Sequence, residues 1–441
     1  MLQILANRTY RHLFLAQVIA LVGTGLATVA LGLLAYQLAG ADAGTVLGTA
    51  FAIKMVAYVG VAPVATALAD RFPRRTMLVC LDLVRAAVAL LLPFVSQAWQ
   101  VYVLIFALQA ASAAFTPTFQ ATIPDVLPDE KEYTQALSLS RLAYDLESLV
   151  SPMLAAALLT VVSFHNLFAG TVVGFLASAA LVVSVVLPSP KASEHRGIYD
   201  RTTRGLRIYL ATPRLRGLWA VQAGVAAAGA MVFVNTVVLV QSAWSLSQTQ
   251  VALALATFGA GSMVAALALP RALERLPDRP VMLAGLAVLV LGLALGSIVQ
   301  GMNGLLPLWF VLGLGYSAAQ TPSGRLLRRS AHPEDRPSVY AAQFALSHAC
   351  WLVFYPLAGW LGARAGLPWA FAVHCAAAIV ALVLTLKLWP ADDPEVLEHE
   401  HHDLPPGHAH ADGTEPRTAG LRHTHPYVVD DLHPRWPGLE R

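Results

Sequence analysis

Residues Ala69–Thr76, ADRFPRRT, form a compact charged run wedged between two long apolar segments. A degraded copy, ERLPDRP, occupies Glu274–Pro280, about 204 residues later. Glu274 falls on Asp70, Arg275 on Arg71, Pro277 on Pro73 and Arg279 on Arg75. A second pair of matches lies one residue off that offset. Thr116-Pro117 answers to Thr321-Pro322, and Pro128-Asp129-Glu130-Lys131 to Pro333-Glu334-Asp335-Arg336. Two separate matches at nearly one spacing imply a half-chain duplicated in the same orientation. Each half holds six apolar segments, and the charged run joins the second segment to the third.

The composition demands a bilayer. Of 441 residues, 57% are hydrophobic and only 12% charged, against about 25% charged in soluble domains. Apolar segments run over 12–38, 45–69, 76–95, 100–123, 134–160 and 165–187, then 215–241, 249–270, 281–300, 304–324, 338–362 and 366–389. A hydrocarbon core about 30 Å thick needs about 20 helical residues, so the spacing predicts twelve spans. The organisation expected is a six-helix bundle over 1–187, a central linker over 188–214, a second bundle over 215–389 and a tail over 390–441. Three cysteines in apolar segments, Cys80, Cys350 and Cys375, make neither a disulfide framework nor a CxxC knot. The first apolar segment is too long, and lacks the small-residue cleavage site, to be a removable signal.

Lysine and arginine set the orientation. One side holds Arg71, Arg74, Arg75, Lys131, Arg271, Arg275, Arg279, Arg328, Arg329, Arg336 and the linker, and the other essentially Arg364 alone. The positive-inside rule then puts both termini and the linker in the cytoplasm. Within the linker, Asp200–Arg216 reads either as a basic amphipathic helix on the inner leaflet or as a solvated tether.

Charges inside the spans are costly unless paired or wetted. They are Lys54 in span 2, Asp82 and Arg85 in span 3, and Arg141, Asp145 and Glu147 in span 5, all in the first half. Asp82 and Arg85, three apart, read as a structural pair. Arg141 and Asp145, four apart, share one helix face and neutralise each other. Glu147 has no partner on its own face, so a proton, a cation, water or Lys54 must compensate it. Lys54, Arg141, Asp145 and Glu147 are the transport and proton-coupling candidates. Gln17, Gln109, Gln222 and Asn235 add uncharged polarity, and His348, Cys350, His374 and Cys375 read as packed core residues.

From Pro390 the character changes. The chain becomes rich in Pro, Asp, Glu and His, with too few apolar residues for a core, and is expected to be disordered. Eight of the fourteen histidines fall there, so histidine is concentrated in a segment that needs none for packing. His399, His401, His402, His408, His410, His423 and His425 are the metal candidates, because neutral imidazole suits nickel, cobalt, zinc and copper.

The loop Thr66-Ala67-Leu68-Ala69-Asp70-Arg71-Phe72-Pro73-Arg74-Arg75 resembles the G-x-L-A-D-R-x-G-R-R loop of the major facilitator superfamily, with both glycines replaced. The resemblance covers roughly residues 8–390. It implies an all-α membrane protein of twelve transmembrane helices in two six-helix pseudo-repeats, the major facilitator fold, with a disordered cytoplasmic tail. It also implies a gating latch of Asp70, Arg71, Arg74 and Arg75, the alternative being a basic loop that only sets topology. Ser151-Pro152-Met153-Leu154-Ala155-Ala156 is loosely similar to the family's antiporter motif and favours export. A transporter body with a histidine-rich tail resembles the nickel-resistance exporters of the superfamily. That resemblance implies export of divalent metal, nickel foremost and cobalt next, by proton antiport across the bacterial inner (plasma) membrane. The alternatives are efflux of an organic compound, a drug or siderophore, with a metal-sensing tail, and a membrane metal sensor that transports nothing. No P-loop is present. The expectation is therefore a monomer, not an enzyme, with no tightly bound cofactor and no nucleic-acid partner. Its partners would be the bilayer, protons and a metal-ion or small-molecule substrate, with nickel, cobalt or zinc as the transported or tail-bound ion.

Overall fold

A long apolar run has one low-energy form in hydrocarbon, the helix, because every backbone N–H and C=O must be satisfied within the segment. In the computed structural model, which describes residues 2–39, 43–69, 72–188, 198–394, 396–401 and 421–437, these runs are helical. The first half comprises α1 (Arg8–Ala39), α2 (Ala43–Ala69), α3 (Arg74–Leu91), α4 (Ala98–Val126), α5 (Glu130–Leu159) and α6 (Phe164–Val183). After α7 (Ile198–Ala211) the second half follows as α8 (Pro213–Val237), α9 (Gln248–Leu273), α10 (Asp278–Gly296), α11 (Gly301–Gln320), α12 (Ser323–Arg329), α13 (Arg336–Arg364) and α14 (Leu367–Leu388). Among the described residues eleven spans are long and apolar enough to cross a bilayer, with α11 and α12 counted as one. The remaining bundle helix is α5. It is 30 residues long and carries Arg141, Asp145 and Glu147. Adding it restores the twelve expected.

Local chemistry explains the ends. Asp129 caps α5 by accepting from the Glu132 N–H at 2.9 Å. A capping box of Ser247 and Gln250 opens α9. Thr321-Pro322 interrupts span 10 and starts the short α12, since proline cannot donate to the preceding turn.

The two halves repeat one packing scheme. In the first, α1 packs on α6, α2 on α4, and α3 on α4 and α6. In the second, α8 packs on α14, α9 on α11, and α10 on α11 and α14. Each half buries its own apolar core, around Leu34, Phe168 and Phe175 or Leu13, Leu78 and Phe119 in the first, and around Val225, Leu286, Trp309 and Leu312 in the second. The seam between halves is made by α2 with α13, α4 with α13, and α5 with α9. Bodies with private cores and a thin seam can move against each other without unpacking.

Two segments outside the bundles are more ordered than their composition implies. The linker helix α7 docks on α13, where Gly205 allows close approach; a Cβ there would lie 2.0 Å from the Ser338 carbonyl oxygen. The tail was expected to be disordered throughout. Instead β1 (Val396–His401) and β2 (Leu421–Pro426) pair antiparallel, and Tyr427, Val429 and Trp436 join the core of the second half. Composition averages over a window, but three aromatic or branched side chains suffice when a finished surface waits to receive them. Residues 402–420 lie outside the described residues.

Candidate functional site

The middle of the first half carries the charge. Arg141 donates to Asp145 Oδ1 at 2.5 Å, one helical turn away on α5. Its Nε also reaches Ser262 Oγ on α9 at 3.2 Å, and Nη1 reaches Gln320 on α11 at 3.5 Å. Ser262 in turn donates to Asp145 Oδ2 at 2.7 Å, and the guanidinium lies 4.8 Å from the Tyr316 ring centroid. Asp145, 4% exposed, is thus saturated and ties the halves together. Glu147 differs. Its carboxylate lies against Gly25 of α1, where a Cβ would come within 3.0 Å of Oε1. It interacts with Lys54 through space, and no hydrogen bond holds it to that lysine.

Lys54 is one turn from Tyr58, its Nζ 5.6 Å from the ring centroid. Tyr58 donates to Gln109 Oε1 at 2.8 Å and packs edge-on against His348 at 4.7 Å, so α2, α4 and α13 meet here. His348 Nδ1 is 2.7 Å from the Phe344 carbonyl oxygen. A carbonyl only accepts, so Nδ1 carries a proton, and in the neutral ring Nε2 keeps its lone pair. His374 is fully buried with Nδ1 on the Ala370 carbonyl, and Asn235 donates to the Ala358 carbonyl at 3.1 Å. Asp82 pairs with Arg85 and accepts from Ser178 at 2.8 Å, while Arg85 stacks on Phe115.

Among the described residues, the middle of the second half carries no comparable cluster of charge. Instead α8, α9, α11 and α13 bring together Phe233, Phe258, Tyr316, Trp351 and Tyr355, with ring centroids 4.7–6.2 Å apart in successive contacts. The five are scattered over more than 120 residues, and no spacing in the chain announces the cluster.

At the end that carries both termini, ion pairs close the seam. Asp70 and Arg71 lie outside the described residues. Arg74 donates to Asp125 of α4 at 2.5 Å, and Arg336 of α13 pairs with the same carboxylate across the seam. Arg75 goes to the Val183 carbonyl. Arg325 pairs with Asp278 at 2.7 Å in its own half and crosses to Glu130 at 2.5 Å and Thr134 at 2.6 Å. Lys131 meets Glu274 at 2.9 Å, and the Tyr133 and Tyr340 hydroxyls share a hydrogen bond of 2.6 Å. Among the described residues, every polar contact between the halves falls between this end and Asp145, so this end is shut. Asp125, Arg325 and Arg336 were missed as latch residues. The one signal was that Asp125 is the lone charge between Arg85 and Asp129. The duplication shows in the pairs themselves: Arg74–Asp125 and Asp278–Arg329, the latter at 3.9 Å, are each displaced by 204 residues with their signs exchanged.

The tail joins this end. Arg204 of α7 binds both Asp335 and Asp431, which raises its already high pKa despite its burial. Asp430 accepts from His332 at 3.2 Å and from the His433 ring at 2.9 Å. Burial alone would raise the Asp430 carboxyl, but the hydrogen bonds from His332 and His433 outweigh it and hold it well below the usual range. His332 is raised by its hydrogen bond to Asp430, against burial. Of the metal candidates, His402, His408 and His410 lie outside the described residues. His399 and His423 are opposite each other in the ribbon, and Leu397 pairs with His425 and His401 with Leu421. Among the described residues no three His, Cys, Asp or Glu side chains converge as a metal cage.

Two helical bodies with private cores, meeting around a charged midsection and shut at one end, form the architecture of a multi-pass carrier. The sequence profile of the Major Facilitator Superfamily matches residues 13–242 and 218–421, and the chain belongs to that superfamily. It is 30% identical over 120 residues to an uncharacterized MFS-type transporter, YfiS, of Bacillus subtilis (strain 168), covering 27% of this chain and 28% of that one. It is 27% identical over 152 residues to macrolide efflux protein A of Streptococcus pyogenes, covering 32% and 37%. The chain thus spans about a third of the length of the curated relatives it matches. In fold it is similar to the human organic anion transporter MFSD10 (TETRAN), with TM-score 0.76, 14% identity, and 86% and 99% of the two chains covered. A bacterial homologue of the iron transporter ferroportin in an outward-facing state gives 0.72, 14%, 86% and 99%.

Proposed function

We propose that this protein is a proton-coupled exporter of a divalent transition-metal ion, nickel foremost, working by alternating access. One observation carries the metal. The tail ribbon pairs a strand that carries His399 and His401 with one that carries His423 and His425, at the end where a cytoplasmic ion would enter. A pump for purely organic cargo has no use for such a histidine-rich ribbon. In this reading the terminal end is cytoplasmic, as the lysine and arginine bias implies, and the closed seam belongs to a state that has delivered its cargo outward.

Coupling falls to Glu147. Asp145 is committed to Arg141 and Ser262, and its part is to tie the halves while the terminal end is shut. Glu147 faces Lys54 with neither in contact, so a proton on the carboxyl and a cation beside it exclude each other. His348, with Nε2 unprotonated, and Glu147 supply the donors for the ion in transit. Two protein donors completed by water suit a cargo that must be released, because a full cage would hold it. Flux of nickel into everted vesicles, with an accompanying loss of the imposed proton gradient, tests the reading. Vesicles that move no divalent metal overturn it.

A second reading rests on the aromatic wall. Five clustered rings, with Tyr316 against the Arg141 guanidinium, suit a bulky apolar organic compound with one ionised group, and the macrolide efflux relatives favour such a cargo. In that reading the tail senses metal and the body exports the organic compound. The same vesicles loaded with organic cations and anions decide between the two.

A further inference from the structure

Arginines at the terminal end almost all have partners. Arg74 and Arg336 share Asp125, Arg204 holds Asp335 and Asp431, Arg214 holds Asp393, and Arg325 holds Asp278. Arg271 and Arg275 are among the exceptions. Arg271 in the last turn of α9 and Arg275 in the turn that follows are both exposed, and among the described residues neither guanidinium has a hydrogen bond or an ion pair. With Lys131 of α5 they line a cavity of about 1100 Å³ at the α5–α9 seam. Three cations therefore face one concavity whose single carboxylate, Glu274, is already paired to Lys131. The remaining lining includes Leu267, Pro270 and Leu276, and Leu267 and Leu276 are each 51% exposed.

We infer that this cavity is a binding site for an anionic phospholipid, with the headgroup phosphate on Arg271, Arg275 and Lys131 and an acyl chain along Leu267. A guanidinium offers two parallel N–H donors that match a phosphate, and basic pockets between spans on the cytoplasmic side hold such headgroups. A free anion would account for the cations and leave the apolar lining unexplained; a lipid accounts for both. The site also lies across the seam. The Lys131–Glu274 pair is exposed, 63% and 42% for the two side chains, and a pair of that kind adds little by itself. A phosphate engaging Lys131 from the first half and Arg271 and Arg275 from the second bridges both bodies only while the terminal end is shut. Anionic lipid therefore favours the closed terminal end, whatever the cargo.

Native mass spectrometry of the full chain in detergent, titrated with phosphatidylglycerol or phosphatidylcholine, tests the binding. Phosphatidylglycerol should be retained in preference, and Arg271→Gln with Arg275→Gln should weaken its retention on the order of tenfold or more. Unchanged lipid-free thermal unfolding of that variant certifies that it folds. Spin labels on the terminal ends of α5 and α9 should report a narrower, shorter distance in phosphatidylglycerol vesicles than in phosphatidylcholine, and no such change in the variant. Equal retention of the two lipids, equal retention by wild type and variant, or displacement of phosphatidylglycerol by an equal concentration of inorganic phosphate would each overturn the assignment.

Discussion

Replacing Asp125 by asparagine should unlatch the terminal end. Asp125 holds two guanidinia, Arg74 from its own half and Arg336 from the other. The three side chains are 7–15% exposed, so these pairs are desolvated well beyond a surface ion pair. Removing one member of a fully buried pair costs about 3–5 kcal/mol, but only part of that bears on gating. Arg74 and Asp125 belong to one rigid half, so their pairing survives when the halves rock and drops out of the difference between states. Arg336 pairs with Asp125 only while the seam is closed. One charge-assisted bond is worth about 1.5–3 kcal/mol, which corresponds to roughly ten- to hundredfold in the closed-to-open ratio. Single-molecule energy transfer between dyes on the terminal ends of α4 and α13 reads that ratio directly. Asp125→Asn and Arg336→Gln should each shift it toward open by a similar factor. Arg74→Gln should lower the thermal stability of the first half and leave the ratio nearly unchanged. An unaltered ratio in both Asp125→Asn and Arg336→Gln, in folded protein, refutes the latch.

Glu147→Gln should abolish proton-driven flux while exchange of cargo between vesicle faces persists, since an amide cannot carry the proton; equal pH dependence of flux in variant and wild type would remove Glu147 from the coupling. Docking of residues 427–437 should depend on pH. The raised His332 contributes stability that is complete below the ordinary imidazole value of about 6.5 and is lost as pH rises through its folded value. The depressed Asp430 contributes stability present above the ordinary carboxylate value of about 3.9 and lost only as pH falls through its own lower one. Hydrogen-exchange protection of 427–437, corrected for intrinsic rates, should therefore be highest between about pH 4 and 6.5 and fall on alkalinisation. In Asp430→Asn that fall should vanish. Alanine at His399, His401, His423 and His425 together should weaken nickel resistance chiefly at low metal and leave flux at saturating metal intact; full resistance at every concentration would count against metal capture by the ribbon.

How far the chain could be read without its structure depended on the range of each interaction. The spans were legible because a bilayer acts on one residue run at a time, and even α5, which carries three charges, is long enough to be recognised. The duplication survives as short charged motifs at one offset. The Arg141–Asp145 pair was legible for the same reason, since one helical turn brings them together wherever the helix goes. Their second partner, Ser262 on α9, was not, because it depends on how α5 and α9 are rotated about their axes at the seam. Asp125 meets Arg336 only after two bundles have folded and closed, and nothing local to either residue encodes that meeting. The five rings of the aromatic wall converge from four helices for the same reason. The tail marks the other limit. Its composition reads as disorder because a local average cannot see Arg204, Arg214 and the apolar surface to which Tyr427, Val429 and Trp436 dock. Apolar length and helical periodicity are properties of the chain alone, whereas pairing between helices far apart in sequence exists only once tilt, rotation and the closure of one half on the other have been chosen.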